Sequence, residues 1–167
     1  MRWWDDLWLN ESFAEYLAHR ALVESTAHTG AWTTFLADRK LWGYRADQRS
    51  TTHPVAGTAR DTADAMLGFD GISYAKGASA LRQLAAWVGD QAFVGALRDH
   101  VRTHSFGNAD LSDLIGAMTR SAGRVRIPAH LRLRLGVRHV FLPSQGPAGW
   151  SSSGIARPAP QSGPTAP

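Results

Sequence analysis

The chain has 167 residues, 44% hydrophobic and 19% charged, with seven Trp, six Phe and three Tyr, a globular composition long enough for one core and too short for a multidomain enzyme. It has no cysteine, which excludes disulfides, thiolate metal sites and cysteine nucleophiles and leaves His, Asp and Glu to hold any metal. The net charge of +4 is unevenly spread: residues 1–123 hold all 14 acids with 12 Lys and Arg, and the last 44 residues hold six Arg and no acid.

In chain order, Met1-Arg2-Trp3-Trp4-Asp5-Asp6 lacks the basic start and apolar run of a signal peptide, and no apolar stretch reaches membrane-spanning length, so a cytoplasmic setting without membrane contact is expected. Phe13, Leu17, Ala21 and their neighbours Ala14, Ala18 and Leu22 recur at three- and four-residue steps, which predicts a helix from Asn10 to about Ala27. A second helix is expected from Ala31 to about Arg49, with Trp32, Phe35 and Leu36 on its apolar side and Arg39, Lys40 and Arg45 on its polar side. Residues 50–70 read as irregular, punctuated by His53-Pro54, Gly57, Gly68 and Asp70-Gly71. Ile72 to Val88 predicts a strong helix closed by Gly89. Asp90 is placed as the N-cap of a helix to about His104, and Asn108 to about Thr119 gives another, capped near Asp110.

Seven of the eight prolines fall between Pro128 and Pro167, and the segment from Pro143 is a Pro/Gly/Ser/Ala sequence unable to bury a core. The expected division is therefore a helical unit over residues 1–122 and a disordered basic tail over 123–167. The abrupt change near Ala122-Gly123-Arg124 matches a gene read out of frame.

From local pattern alone, Glu11 reads as a solvated or N-terminal helix glutamate and Tyr74 as a helix-face aromatic with its hydroxyl in water. Glu11 lies near the start of an apolar helix beside Trp3, Trp4 and Trp8, where a carboxylate must meet a cation, a metal or several donors, or else face solvent. Glu15, one turn on, shares its face, and two such carboxylates repel unless a cation intervenes. Tyr74 sits in Phe69-Asp70-Gly71-Ile72-Ser73-Tyr74-Ala75-Lys76-Gly77. Lys76 and Arg82 read as solvated helix-surface cations.

The segment Trp8-Leu9-Asn10-Glu11-Ser12-Phe13-Ala14-Glu15-Tyr16, with its tryptophan-rich approach, resembles the WLNE(G/S)FAxY motif of the aminopeptidase N family of gluzincins. The tyrosine segment is similar to that family's FDxIxYxKGxxxLR stretch. Weaker parallels are Thr52-His53-Pro54-Val55 and Ser105-Phe106-Gly107-Asn108-Ala109-Asp110-Leu111. The resemblance covers about Met1 to Ala122 and implies a mainly α fold, the helical lobe of a thermolysin-like catalytic domain. It further implies a zinc aminopeptidase acting on peptides, with Glu11 as a zinc ligand and Tyr74 as the catalytic donor to the tetrahedral oxyanion.

The family's HExxH helix and its Gly-x-Met-Glu-Asn motif are absent from the sequence. An inactive fragment is expected on this ground, complemented by the missing amino-terminal part. It is also expected to be marginally stable, with apolar surface exposed around Trp3, Trp4, Trp8 and Phe13. His100 and His104 have the i, i+4 spacing of metal ligands but lack the intervening glutamate and read as an incidental surface pair. Gly71-Ile72-Ser73-Tyr74-Ala75 is a near miss to a serine nucleophile elbow, which requires a preceding strand. The alternative reading is a non-catalytic helical module whose arginine tail binds nucleic acid or another acidic partner. No base-reading element or folded basic face favours it.

Overall fold

After a single 3₁₀ turn at Trp4–Asp6, the first helix, α1, spans Leu7–Ser25, three residues earlier at its start than the apolar spacing predicts. The computed structural model describes residues 1–123, and among them every regular element is helical. The expected tail lies outside the described residues.

α1 carries apolar residues around more than one side. Leu7, Trp8, Ser12 and Tyr16 are buried, whereas Leu17 and Leu22 remain exposed. The predicted second helix is present but not uniform. α2 (Ala31–Thr34) passes without a break through a π turn, π1 (Phe35–Arg39), into α3 (Lys40–Asp47). The wide turn lets Phe35 stay in the core, its ring 5.0 Å from His19 and 5.6 Å from Trp32, while Arg39 faces α1.

The segment expected to be irregular contains a short helix, α4 (Thr62–Met66), whose N-cap Asp61 accepts from the Asp64 amide at 2.8 Å. A second π turn, π2 (Ile72–Lys76), leads directly into α5 (Gly77–Val88), which ends at Gly89 with φ of 87°. That left-handed position suits glycine. It also corrects the expected cap of the next helix, α6 (Asp90–Thr103). Gly89 holds the cap position without a side-chain bond, and Asp90 instead pairs with Arg20 of α1 at 2.7 Å. α7 (Leu111–Ser121) is capped by Asp110 in a reciprocal box with Asp113, close to the reading from sequence.

The core joins α1 to both later helix pairs. Trp8, Phe35, Ile72, Leu81, Phe93, Leu114 and Met118 are each 2% exposed or less. Trp8 is thus fully enclosed and Phe13 packs against the same core, contrary to the expectation that both belong to an exposed apolar surface. Trp3, at 49%, does remain exposed, and the most open large apolar residues of α4 and its end are Met66 and Leu67.

Lys76 also departs from its predicted solvated position. It is 7% exposed and its ammonium lies 2.7 Å from Asp47, whose carboxylate further accepts from Thr52 at 3.1 Å. The apolar pattern of α5 carries Lys76 into the interior, and a buried ammonium needs the countercharge that α3 supplies. Arg82 stacks over the Trp32 ring at 4.1 Å.

Candidate active site

Glu11 and Tyr74 are far apart in sequence and adjacent in space. Contacts among α1, α3, π2 and α5 bring this about. Ser12, next to Glu11, is fully buried and its hydroxyl donates to the carbonyl oxygen of Ser73, next to Tyr74. Gly77 lets α5 approach α1 at this point, since a Cβ there would overlap the Ser12 hydroxyl. The Lys76–Asp47 pair fixes the end of π2 to α3.

On this framework the Tyr74 phenol lies close enough to the Glu11 carboxylate for the two to interact. Burial, followed by the interaction with Glu11, pushes the phenol up to about 12, with Glu15 adding to the rise and Arg39 opposing it. The phenol is therefore a protonated donor throughout the neutral range. Both residues are partly exposed, so a ligand has access to them.

Glu15 does not compete for the same partner. Arg39 donates to both of its carboxylate oxygens at 2.8 Å, a bidentate pair in which the Glu15 side chain is only 9% exposed. The guanidinium also lies over Trp42, 4.6 Å from the ring centroid, and Trp42 stands 5.8 Å from the Tyr74 ring. The repulsion expected between Glu11 and Glu15 is relieved by separate partners, a phenol for one and a guanidinium for the other. Sequence reading missed Arg39 and Trp42, and nothing local marks either residue.

Beside this cluster, His53 and Asp70 line an open groove and meet directly, with His53 Nε2 3.2 Å from Asp70 Oδ1. The Asp70 bond raises the His53 pKa above the ordinary imidazole range against the effect of burial. Burial alone would raise Asp70, but the bonds from His53 and from the Ile72 and Ser73 amides outweigh it and hold the carboxyl below the usual range. The Asp70-Gly71 pair reads as a turn signal, and its part in fixing π2 emerges only from these contacts.

As a metal ligand, Glu11 fits one position: a partly open carboxylate at the site, whose partner is a neutral phenol. Among the described residues, no three His, Cys, Asp or Glu side chains converge as a metal-binding set. His100 and His104 have ring centroids 4.9 Å apart, and His100 Nδ1 is buried without a hydrogen-bond partner, but no such set includes them. Ser73 is buried within π2 and follows a loop, so it is not presented as a nucleophile.

Residues 1–133 match the Peptidase family M1 domain. The chain is 48% identical over 126 residues to aminopeptidase N of Streptomyces lividans, a match covering 74% of this chain and 15% of that protein. It is 37% identical over 123 residues to a leucyl aminopeptidase of Saccharolobus solfataricus, covering 74% of this chain and 16% of that protein. Aminopeptidase M1 of Arabidopsis thaliana is 35% identical over 123 residues, covering 74% of this chain and 14% of that protein. The matched region thus spans about one sixth of the length of these curated relatives.

Proposed function

Because the chain belongs to peptidase family M1, we propose that it carries the glutamate and tyrosine part of a zinc aminopeptidase site, releasing amino-terminal residues from peptides. The observation that carries this reading is the proximity of Tyr74 to Glu11, brought about by the Ser12–Ser73 bond and the close approach at Gly77. Zinc in such a site supplies Lewis acidity. The described residues offer one donor toward it, so the remaining donors must come from outside them, and the proposed source is a segment bearing a His-Glu-x-x-His helix.

The residues of this chain have separable tasks. Glu11 presents a carboxylate to the metal position. Tyr74, kept protonated, donates to the oxygen of the peptide carbonyl as negative charge develops there, an interaction whose loss typically costs roughly 10²–10³ in rate. Arg39 keeps Glu15 engaged, leaving Glu11 as the available carboxylate on that face of α1.

Coexpression with the region that precedes the match in the Streptomyces lividans relative provides the test. Zinc content and hydrolysis of aminoacyl anilides are measured for the chain alone and for the pair. Zinc and activity are expected in the pair and not in the chain alone. Glu11→Ala should remove zinc, whereas Tyr74→Phe should keep it and lower the rate about 10²–10³-fold. A Tyr74→Phe pair of undiminished rate, or a Glu11→Ala pair that retains zinc and activity, would overturn the reading.

A further inference from the structure

Tyr74 lies on a turn that no regular helix precedes, so the first amides of π2 need acceptors from elsewhere. Asp70 supplies one: its Oδ1 accepts from the Ile72 amide at 2.8 Å and lies 3.4 Å from the Ser73 amide. The same oxygen faces His53 Nε2 at 3.2 Å, while His53 Nδ1 stands 2.8 Å from the carbonyl oxygen of Pro54. A carbonyl only accepts, and a carboxylate in its ionised form only accepts. Both ring bonds therefore form together when both nitrogens carry protons, as in the imidazolium, and a neutral ring loses one of them.

We propose that His53 is a positioning residue for Tyr74: as the imidazolium it fixes Asp70 at the start of π2, and its deprotonation loosens the turn that presents the phenol to Glu11. The charged groups acting on it are few. Asp70 favours the imidazolium, and Lys76 disfavours it from the far end of π2, its own charge countered by Asp47 at 2.7 Å. Asp5, Arg49 and Asp64 line the same groove.

The sign follows from the two shifts. His53 is raised above 6.5, so its contribution is complete below the unfolded value and is lost as pH rises through the raised one. Asp70 is lowered from 3.8, so its contribution is present above that value and is lost as pH falls through the lowered one. The arrangement is complete between the two folded values. Only the catalytic importance of Tyr74 rests on the function proposed above. Because the positioning is read from chemical shifts without activity, either reading can fail while the other stands.

The test is nuclear magnetic resonance on the full 167-residue chain, with ring-¹⁵N histidine and ring-¹³C tyrosine assigned through bonds to the backbone and followed from about pH 5 upward. The expected result is a His53 midpoint above 6.5 and a Tyr74 ring signal that shifts with the same midpoint, while Tyr16 and Tyr44 do not follow it. Asp70→Asn should lower the His53 midpoint and remove the matching Tyr74 shift. A Tyr74 signal that is flat through the His53 step, or a His53 midpoint at or below 6.5, overturns the proposal. Should Asp70→Asn fail to fold, the two midpoints of the unsubstituted chain decide the matter alone.

Discussion

The α6–α7 hairpin and the junction of α1 with π2 and α5 are held in different ways. In the hairpin, Phe93 and Ala96 pack with Leu114, Ala117 and Met118, and the polar contacts lie outside the apolar seam. Ser121 donates to the Ala92 carbonyl at 2.7 Å and Arg120 pairs with Asp99 at 3.0 Å, both at exposed positions. At the α1 junction and beside it the polar groups are inside: the Ser12 hydroxyl bond, for which Gly77 leaves room, and the Lys76–Asp47 pair that ties π2 to α3. Apolar seams tolerate small adjustments of rotamer and spacing. A buried hydrogen bond or ion pair does not, because losing its geometry leaves a charge or dipole unsatisfied. The second kind of contact lies beside Glu11 and Tyr74, two side chains from distant segments.

The sharpest way to break this contrast is Asp47→Ala, which leaves the Lys76 ammonium buried without its carboxylate. A loss of about 3–5 kcal/mol in urea unfolding followed by tryptophan fluorescence is expected. A loss below about 1 kcal/mol would mean that water reaches Lys76 and that the junction is not built on a buried charge. Gly77→Ala comes next, at about 1–3 kcal/mol, because the new methyl must displace the Ser12 hydroxyl. It should also move the Tyr74 ring resonance, and an unmoved resonance would show that the close approach does not set the phenol's position.

The smallest effect is expected for Asp110→Ala, about 1 kcal/mol for a lost N-cap. Hydrogen exchange should speed up in the first turn of α7 and stay unchanged in α1. If protection in α1 falls equally, the hairpin and the junction form one cooperative unit, and the distinction between them has no energetic meaning.

Legibility from sequence follows the same division. α7 can be read from Asp110, Asp113 and the spacing of Leu114, Ala117 and Met118, and the end of α5 from Gly89, because each signal is local. The mainly helical character was legible for the same reason. Glu11 and Tyr74 are singled out by motif resemblance alone, since helical spacing leaves Glu11 a solvated carboxylate. The rest was written in contacts between distant segments. Lys76 reads as a surface cation until Asp47 is placed beside it, and Arg39 reads as part of a polar face until Glu15 engages it. Asp90 has the chemistry of a cap, but the positive φ of Gly89 and the salt bridge to Arg20 gave it another task. The periodicity that predicted two uninterrupted helices could not register a single wide turn in each.

Those wide turns make the site sensitive to chain length. A π turn amounts to one residue inserted into an α-helix, and each α-helical residue advances the face by about 100°. Removing one residue from Phe35–Arg39 would restore a regular hydrogen-bond ladder while rotating everything on one side of the deletion relative to the other. Phe35 could then keep its place in the core, or Arg39 its grip on Glu15, but not both. The same holds for Ile72–Lys76, where Ile72 is fully buried at one end and Lys76 meets Asp47 at the other. A point substitution on either turn alters one contact, whereas a single-codon deletion unfastens the core from the candidate site.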